Sequence, residues 1–386
     1  MKKHCFLLYI LIFFALTFFS CKNDDPVKSR QSAVKNLYKH GTVKIAIANS
    51  FQVNLSKMWE GVILAQEKIK KDALLPVNLE LVKFDDGGDE IKGMTTAYKI
   101  ASDNEICAVI GHGYSDISLP CSLIYQYHGI LTFNFISTVH TLTERNNPLI
   151  FSNVPKDSDF GEEVAKVCDK NGYKNVIVYY LENVSGTSVS NAFELNCAKR
   201  GISVVSRDSY DITTSEQEIE RMTKRWKNNF MFDAIFLVGR MPGISQIISI
   251  IRQNGITCPI LGPDSFDDPM FTENLDNSEN GKIFAVSNYN PESEHPRFQE
   301  FYSSFKEKYG TEPDQEAFQA YDALMVLAGG IGKACSANPD EVANVLRQEI
   351  WNEAAGGYTF SASGAVQNRK LTAKVFANGK FTKIID

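Results

Sequence analysis

Along most of the chain, the hydrophobic positions follow two patterns in turn: short continuous apolar runs, and apolar residues at helical spacing. Short apolar runs, such as VKIAIA at 43–48 and AIFLV at 234–238, indicate buried strands. Between such runs the apolar residues recur at helical spacing, as at 59–69. Strand and helix follow one another in this way from residue 42 to residue 287. This alternation predicts an α/β fold whose parallel sheets are covered by helices on both faces.

The two ends of the chain follow other patterns. Residues 21–41 are polar and predict a tether before the first strand. Helical spacing returns at 297–309, 316–334 and 340–352, and Gly- and Thr-containing strands are predicted at 358–385. The length of 386 residues is too great for one ordinary core and predicts two lobes.

Two neighbouring predicted strands end in polar loops. The strand at 107–111 leads into a helix that begins near Ser115 and Asp116, and the strand at 130–135 ends at Ser137 and Thr138. The carboxyl edge of an open α/β sheet is where ligands bind. Because the exposed amides of a helix start attract carboxylate or phosphate, these loops predict a small-ligand site. The alternative is an ordinary turn in which Ser115 or Asp116 only caps the helix.

The first twenty residues have the composition of an export signal. A basic start precedes an apolar run over 6–19, which is short for a membrane span, and the small Ser20 precedes Cys21. This order resembles a bacterial lipoprotein signal, which is cut before a cysteine that then carries lipid. We predict a signal peptide at 1–20, lipidation of Cys21, and a location in a bacterial cell envelope facing the periplasm or the exterior. A plain secretory signal with an incidental cysteine is the alternative.

Charge and cysteine spacing exclude several classes of protein. The net charge is −6 with no basic stripe, which argues against a nucleic-acid partner. The cysteines form no CxxC pair, so zinc or thioredoxin-like chemistry has no support. Cys168 and Cys197 lie at comparable points of two neighbouring predicted helices and are the candidate disulfide in an exported protein. Alternatively, most of the cysteines are buried small apolar residues.

Residue types used in catalysis occur without a catalytic arrangement. His112, Ser115 and Asp116 crowd into one short loop and cannot all converge. The sequence has no GxSxG, HExxH or Walker A motif. The turn DDGGD at 85–89 lacks the spacing and terminal Glu of an EF-hand. We therefore predict a protein that is not an enzyme and that needs no cofactor or metal.

Several long segments resemble one family. They are IANSFQVNLSKMWEGVILAQEKI, CAVIGHGYSDIS, ISIIRQNGITCPILGPDS and, most closely, FYSSFKEKYGTEPDQEAFQAYDALMVLAGGI at 301–331. Together they resemble the type I periplasmic substrate-binding proteins, in the leucine/isoleucine/valine-binding branch that serves ABC importers. The resemblance covers nearly all of residues 42–386 in order.

The resemblance implies two Rossmann-like lobes joined by three crossovers, with a ligand buried when the lobes close about a hinge. Lobe 1 would comprise 42–155 and 288–355, and lobe 2 would comprise 156–287 and 356–386. The expected protein is a monomeric, lipid-anchored receptor that passes a small amino-acid-like or carboxylate ligand to an ABC permease. A ligand-sensing receptor of the same fold, which signals to a partner without transport, is the alternative.

The resemblance also assigns a pocket. The ligand carboxylate would meet Ser115 and Thr138, with Ser137 alongside, the backbone of Ile136 as a further partner, and Tyr114 in the same loop as Ser115. Hydroxyls and amides at a helix start can hold a carboxylate without an arginine. The ligand ammonium would pair with Asp264 of GPDS, where relatives usually have Glu. The alternative for Asp264 is a turn aspartate that follows a proline.

Two further positions bear on the ligand. Arg240 occupies a loop that often offers a tyrosine in the family, and it could reach a second ligand carboxylate in a bidentate manner. Arg240 could equally form a salt bridge to Asp264 or Glu182, or be solvated. Asn54 lies in the first loop, where relatives cover the flank of the ligand.

Overall fold

The computed structural model describes residues 25–52 and 56–384. The predicted alternation is present, and a first parallel sheet has the strand order β2–β1–β3–β4–β5. Its elements, in chain order, are α1 Pro26–Val34, α2 Leu37–His40, β1 Thr42–Asn49, α3 Met58–Lys71, β2 Asn78–Asp85, α4 Glu90–Ser102, β3 Ile106–Gly111, α5 Ser115–Tyr127, β4 Leu131–Asn134 and β5 Ile150–Ser152. Every residue of β3 and β4 is buried, as their apolar runs predict.

A second sheet has the order β15–β14–β10–β9–β8–β6–β7, in which β14 is Thr372–Ala377 and β15 is Lys380–Lys383. Its first elements are α6 Asp157–Lys170, β6 Asn175–Leu181, α7 Val184–Lys199, β7 Ser203–Tyr210, α8 Glu216–Asn229, β8 Ala234–Val238, α9 Gly243–Gln253, β9 Ile260–Gly262, α10 Pro269–Glu273 and β10 Ile283–Ser287. The predicted bounds of β8, 234–238, match the structure. The part from β6 to β10 is parallel because each connection between these strands passes through a helix.

The chain then returns to the first lobe before it ends on the second. The remaining elements are α11 Pro296–Tyr309, α12 Gln315–Ala334, α13 Pro339–Gln348, β11 Trp351–Glu353, β12 Gly356–Phe360, β13 Val366–Gln367, β14 Thr372–Ala377 and β15 Lys380–Lys383. The chain passes between the two sheets after Ser152, after Ser287 and after Gln367. The α/β fold class with three crossovers is thus confirmed. No helix in the described part of the chain is both long and apolar enough to cross a membrane.

The division between the lobes near the C-terminus differs from the prediction. We assigned 356–386 to lobe 2, but β12 pairs with β11, and Tyr358 and Phe360 pack in the core of the first lobe. The return to lobe 2 begins at β14, which pairs antiparallel with β10. The predicted helix at 340–352 also ends earlier, at Gln348. The sequence of a short strand with Gly and Thr does not indicate which sheet the strand joins.

Residues 26–34 and 37–40 are helical, so the prediction of a polar tether over 21–41 is wrong for that part. Arg30 in α1 is fully buried against the first lobe. Its guanidinium donates to four backbone carbonyls, those of Ala101, Asp103, Ile106 and His128. These carbonyls lie at the C-terminal ends of α4 and α5 and at the start of β3. α1 therefore closes the edge of the lobe that lies opposite the carboxyl ends of the strands.

The candidate disulfide is also absent from the structure. Cys168 of α6 and Cys197 of α7 are both buried free thiols in the same core. Burial raises the pKa of Cys197 to about 12, and it raises the pKa of Cys168 further, with a contribution from Cys197. Thiols with such raised pKa values stay uncharged, as expected of small apolar residues that pack in a core. This is the alternative interpretation given above for the cysteines.

Candidate functional site

The carboxyl ends of the two sheets face a shared cleft that holds two adjoining cavities. We call the smaller one, of ≈ 140 Å³, the hydroxyl compartment, because Ser115, Ser137, Thr138 and Ser185 line it. The larger one, of ≈ 430 Å³, is the acidic compartment, because its wall contains several carboxylates. Residues that line both cavities are Tyr114, Ile136, Arg240, Asp264, Ser265 and Glu316. The two compartments therefore form one continuous site between the lobes.

The start of α5 forms one wall of the hydroxyl compartment. Ser115 is the first residue of this helix, and its Oγ lies 2.8 Å from Ser137 Oγ. Tyr114 precedes the helix, and no side chain of the described residues caps it. The alternative that Ser115 or Asp116 only caps α5 is therefore not what the structure shows. Hydroxyls beside open helix amides suit an incoming carboxylate.

The loop after β4 is held in place by its own strand. Asn134 donates from Nδ2 to Ser137 O at 2.6 Å, and its Oδ1 accepts from Ser137 N at 2.9 Å. Thr138 Oγ1 donates to Asp157 Oδ1 at 2.5 Å. Asp157 begins α6 and is 1% exposed, and burial raises its pKa to about 6 although Thr138 opposes the shift. A buried carboxyl thus lies directly behind Thr138.

Asp264 forms the opposite wall, just after β9. Its Oδ2 accepts from Gln315 Nε2 of α12 at 3.3 Å, which is a contact between the lobes. Burial, and then the nearby charge of Asp157, raise the pKa of Asp264 to about 7. None of the described Lys and Arg side chains forms an ion pair with Asp264. A desolvated carboxylate without a cation gains most from a ligand that brings one.

Arg240 forms a salt bridge that the sequence did not suggest. Its Nη2 lies 2.5 Å from Asp116 Oδ2, and its guanidinium lies 4.1 Å from the centroid of the Tyr114 ring. Asp116 Oδ1 accepts from the backbone N of Val184, at the start of α7, at 3.2 Å. The predicted partners, Asp264 and Glu182, are wrong. Asp116 of lobe 1 thus joins two elements of lobe 2 across the cleft.

His112, which the sequence placed beside Ser115, lies outside the site. It is fully buried, with Nδ1 2.7 Å from Asp86 Oδ2 and Nε2 2.8 Å from Tyr125 Oη. Ser118 Oγ donates to the backbone carbonyl of His112 at 3.0 Å. His112 therefore supports the loop that carries Ser115 from inside lobe 1.

Most of the predicted site residues come together. Those that line the hydroxyl compartment are Tyr114, Ser115, Ile136, Ser137, Thr138, Arg240 and Asp264. Asn54 and Cys21 lie outside the described residues. The sequence reasoning missed Asn183, Ser185 and Glu316, which also line the cavity. The polar helix start NVSG at 183–186 was the available signal for the first two, while Glu316 resembles an ordinary acidic residue at a helix start.

Comparisons with known proteins by sequence and by structure indicate the same kind of protein. A family model described as "Periplasmic binding protein" matches residues 50–379. A leucine-, isoleucine-, valine-, threonine- and alanine-binding protein of Pseudomonas aeruginosa is 23% identical over 337 residues, covering 86% of this chain and 89% of the relative. An ABC transporter substrate-binding protein of Desulfitobacterium hafniense in complex with Leu is 28% identical, has a TM-score of 0.79, and covers 89% of this chain and 100% of its own. A leucine binding protein of Thermotoga maritima is 25% identical with a TM-score of 0.81, covering 89% and 98%.

Proposed function

Because this chain belongs to the type I periplasmic binding proteins, in the branch of the leucine/isoleucine/valine-binding proteins, we propose that it is an extracytoplasmic solute receptor. It captures a small amino-acid-like or carboxylate ligand between its lobes and delivers it to an ABC permease. Binding and release are its whole task, and no covalent step occurs in the cleft.

One observation carries this proposal. The hydroxyl compartment has open helix amides with Ser115 and Ser137 on one wall and the carboxyl of Asp264 on the other. A carboxylate at the first wall and an ammonium at the second match the two ends of an amino acid. Closure of the lobes removes water from both contacts, which strengthens them.

A ligand screen tests this function. We expect the mature protein to unfold at a higher temperature in the presence of at least one amino acid or small carboxylate, because a ligand that binds only the folded state stabilises it by mass action. The measurement is thermal unfolding with and without each compound at about 1 mM. A Ser303→Ala variant, altered at an exposed position on α11, should respond as the parent does. Absence of a shift with every amino acid and every carboxylate would contradict the proposal.

The location at the membrane is a separate part of the proposal. We propose that Cys21 carries lipid and anchors the receptor on the outer side of a bacterial membrane. A Cys21→Ser variant expressed in a bacterium should move from the membrane fraction to the soluble fraction or keep its signal peptide. Fractionation and the mass of the N-terminal peptide measure both results. Membrane retention with normal processing would refute the anchor and would leave ligand binding unaffected.

A further inference from the structure

We propose that the ligand is an amino acid whose side chain carries a positive charge. Its α-carboxylate and α-ammonium occupy the hydroxyl compartment, and its cationic side chain extends into the acidic compartment. This inference rests on the proposed function and names the class of ligand that the site selects.

The wall of the acidic compartment has an excess of negative charge. The carboxylates in it are those of Asp264, Asp267, Asp268, Glu273, Asp314 and Glu316. The cations in it are Lys57 and Arg240. Both cations are engaged, since Lys57 Nζ donates to Thr311 Oγ1 at 2.9 Å and to Glu312 O at 2.6 Å, and Arg240 pairs with Asp116.

The acids differ in how their charge is balanced. Asp267 pairs with Lys374 Nζ at 2.6 Å. Asp268 accepts from its neighbour's amide, Met270 N, at 2.8 Å, and Asp314 accepts from two backbone amides at 2.7 and 2.8 Å. Neither Asp268 nor Asp314 forms an ion pair with any described Lys or Arg. Helix-start amides are therefore the hydrogen-bond donors to both carboxylates, and the charge of Lys57 also lowers the pKa of Asp314.

The acids also disfavour one another's ionisation. Burial is the main cause that raises the pKa of Asp314, and the charge of Asp268 adds to it. Burial likewise raises the pKa of Asp268, and the charges of Asp267 and Glu273 contribute. Closing the lobes over these groups without a cation would increase the desolvation cost. A cationic side chain removes that cost, whereas an aliphatic side chain does not.

A further group in the cleft lacks a partner. Ser265 Oγ is buried, and none of the described residues makes a hydrogen bond to it. Ser265 lines both compartments, so a ligand that extends from one into the other passes it. The volume of ≈ 430 Å³ lies in the range of small-molecule sites. An acidic side chain is disfavoured there because Arg240 is already held by Asp116.

Affinities for a small panel test the inference. Isothermal titration calorimetry with L-lysine, L-arginine, L-leucine, L-glutamate, glycine and 1,4-diaminobutane should give lysine or arginine at least tenfold tighter binding than leucine or glutamate. Tightest binding of leucine or glutamate would overturn the inference and leave the proposed function in place. Tightest binding of 1,4-diaminobutane, which has no carboxylate, would overturn the inference that the hydroxyl compartment holds the α-carboxylate of the ligand. If no amino acid binds, the inference fails, and the proposed function fails as well only if the thermal screen also finds no carboxylate that binds.

Variants locate the charge that selects the ligand. Asp268→Asn with Asp314→Asn removes two charges, and Asn keeps the ability to cap a helix. This double variant should lose at least tenfold in affinity for the preferred basic amino acid and change little for glycine. The matched control is Asp276→Asn, an exposed residue that also accepts an amide at a helix start, from Ser278 N at 2.8 Å. Unchanged affinity for the basic amino acid in a folded double variant would overturn the inference.

Discussion

An Asp264→Asn variant is expected to lose ligand binding and to make the ligand-free protein more stable at pH 8. The loss of binding follows because the ligand ammonium would face a neutral amide in a desolvated site, and breaking a buried charge pair costs about 3–5 kcal/mol. The gain in stability follows because the wild-type carboxylate is ionised without a cation partner among the described residues. The residue thus raises the free energy of the empty receptor and lowers that of the complex.

The sign and the pH window follow from the pKa of Asp264. Burial and the charge of Asp157 raise it from 3.8 to about 7 in the folded protein. Between these two values the folded state binds more protons than the unfolded state, so this group's contribution to stability is full below 3.8 and is lost as the pH rises through about 7. The stabilising effect of Asp264→Asn should therefore be full at pH 8 and smaller at pH 5, and it should be absent only below 3.8. Affinity of the wild type for an ammonium-bearing ligand should fall as the pH drops below about 7.

Thermal unfolding at the two pH values and calorimetry with the best ligand of the screen measure these effects. Asp264→Glu is the matched control, because it keeps the charge and should retain binding without the gain in stability at pH 8. Binding of the Asn variant at wild-type affinity would refute the assignment of Asp264 as the ammonium partner. A lower unfolding temperature of the Asn variant at pH 8 would refute the charge argument.

The course of the strands and helices could be predicted from the sequence because their apolar periods are unambiguous. The run AIFLV at 234–238 is buried at every position, as expected of a short apolar run that lies between two helical patterns. The loops at 114–116 and 136–138 were predicted to share a site because neighbouring parallel strands end at the same edge. The structure places both loops around one cavity.

Contacts between distant charged residues could not be predicted in this way. Asp116 and Arg240 are 124 positions apart, and nothing local distinguishes this pair from Arg240 with Glu182. Asp157 is an acidic residue in the first turn of a helix, and such a residue usually indicates only that a helix begins there. Its burial behind Thr138 arises because the crossover from lobe 1 ends there, and only the tertiary structure decides that position.

Arg30 gives the clearest case of a misleading local pattern. The stretch before Thr42 is polar, and a polar stretch after an export signal predicts a tether. Its arginine is nevertheless fully buried, because three helix and strand ends of lobe 1 leave carbonyls that need a donor. Burial lowers the pKa of Arg30 only to about 10, so the side chain is still a cation at neutral pH.

An Arg30→Ala variant is therefore expected to lose about 3–5 kcal/mol of folding free energy, because four carbonyls would lose a charged donor and a cavity would remain. Ligand affinity should change less than twofold, since Arg30 contacts the edge of lobe 1 opposite the cleft.

Thermal unfolding and calorimetry separate the two effects, and Lys28→Ala, on the same helix with an 81% exposed side chain, is the control. An unchanged unfolding temperature would support the original prediction that residues 21–41 form a polar tether. A large loss of affinity in a folded variant would mean that α1 influences the cleft through lobe 1. Together with Asp264→Asn, which should weaken binding while stabilising the empty protein, Arg30→Ala tests whether the folding energy and the binding energy of this receptor come from opposite edges of its sheets.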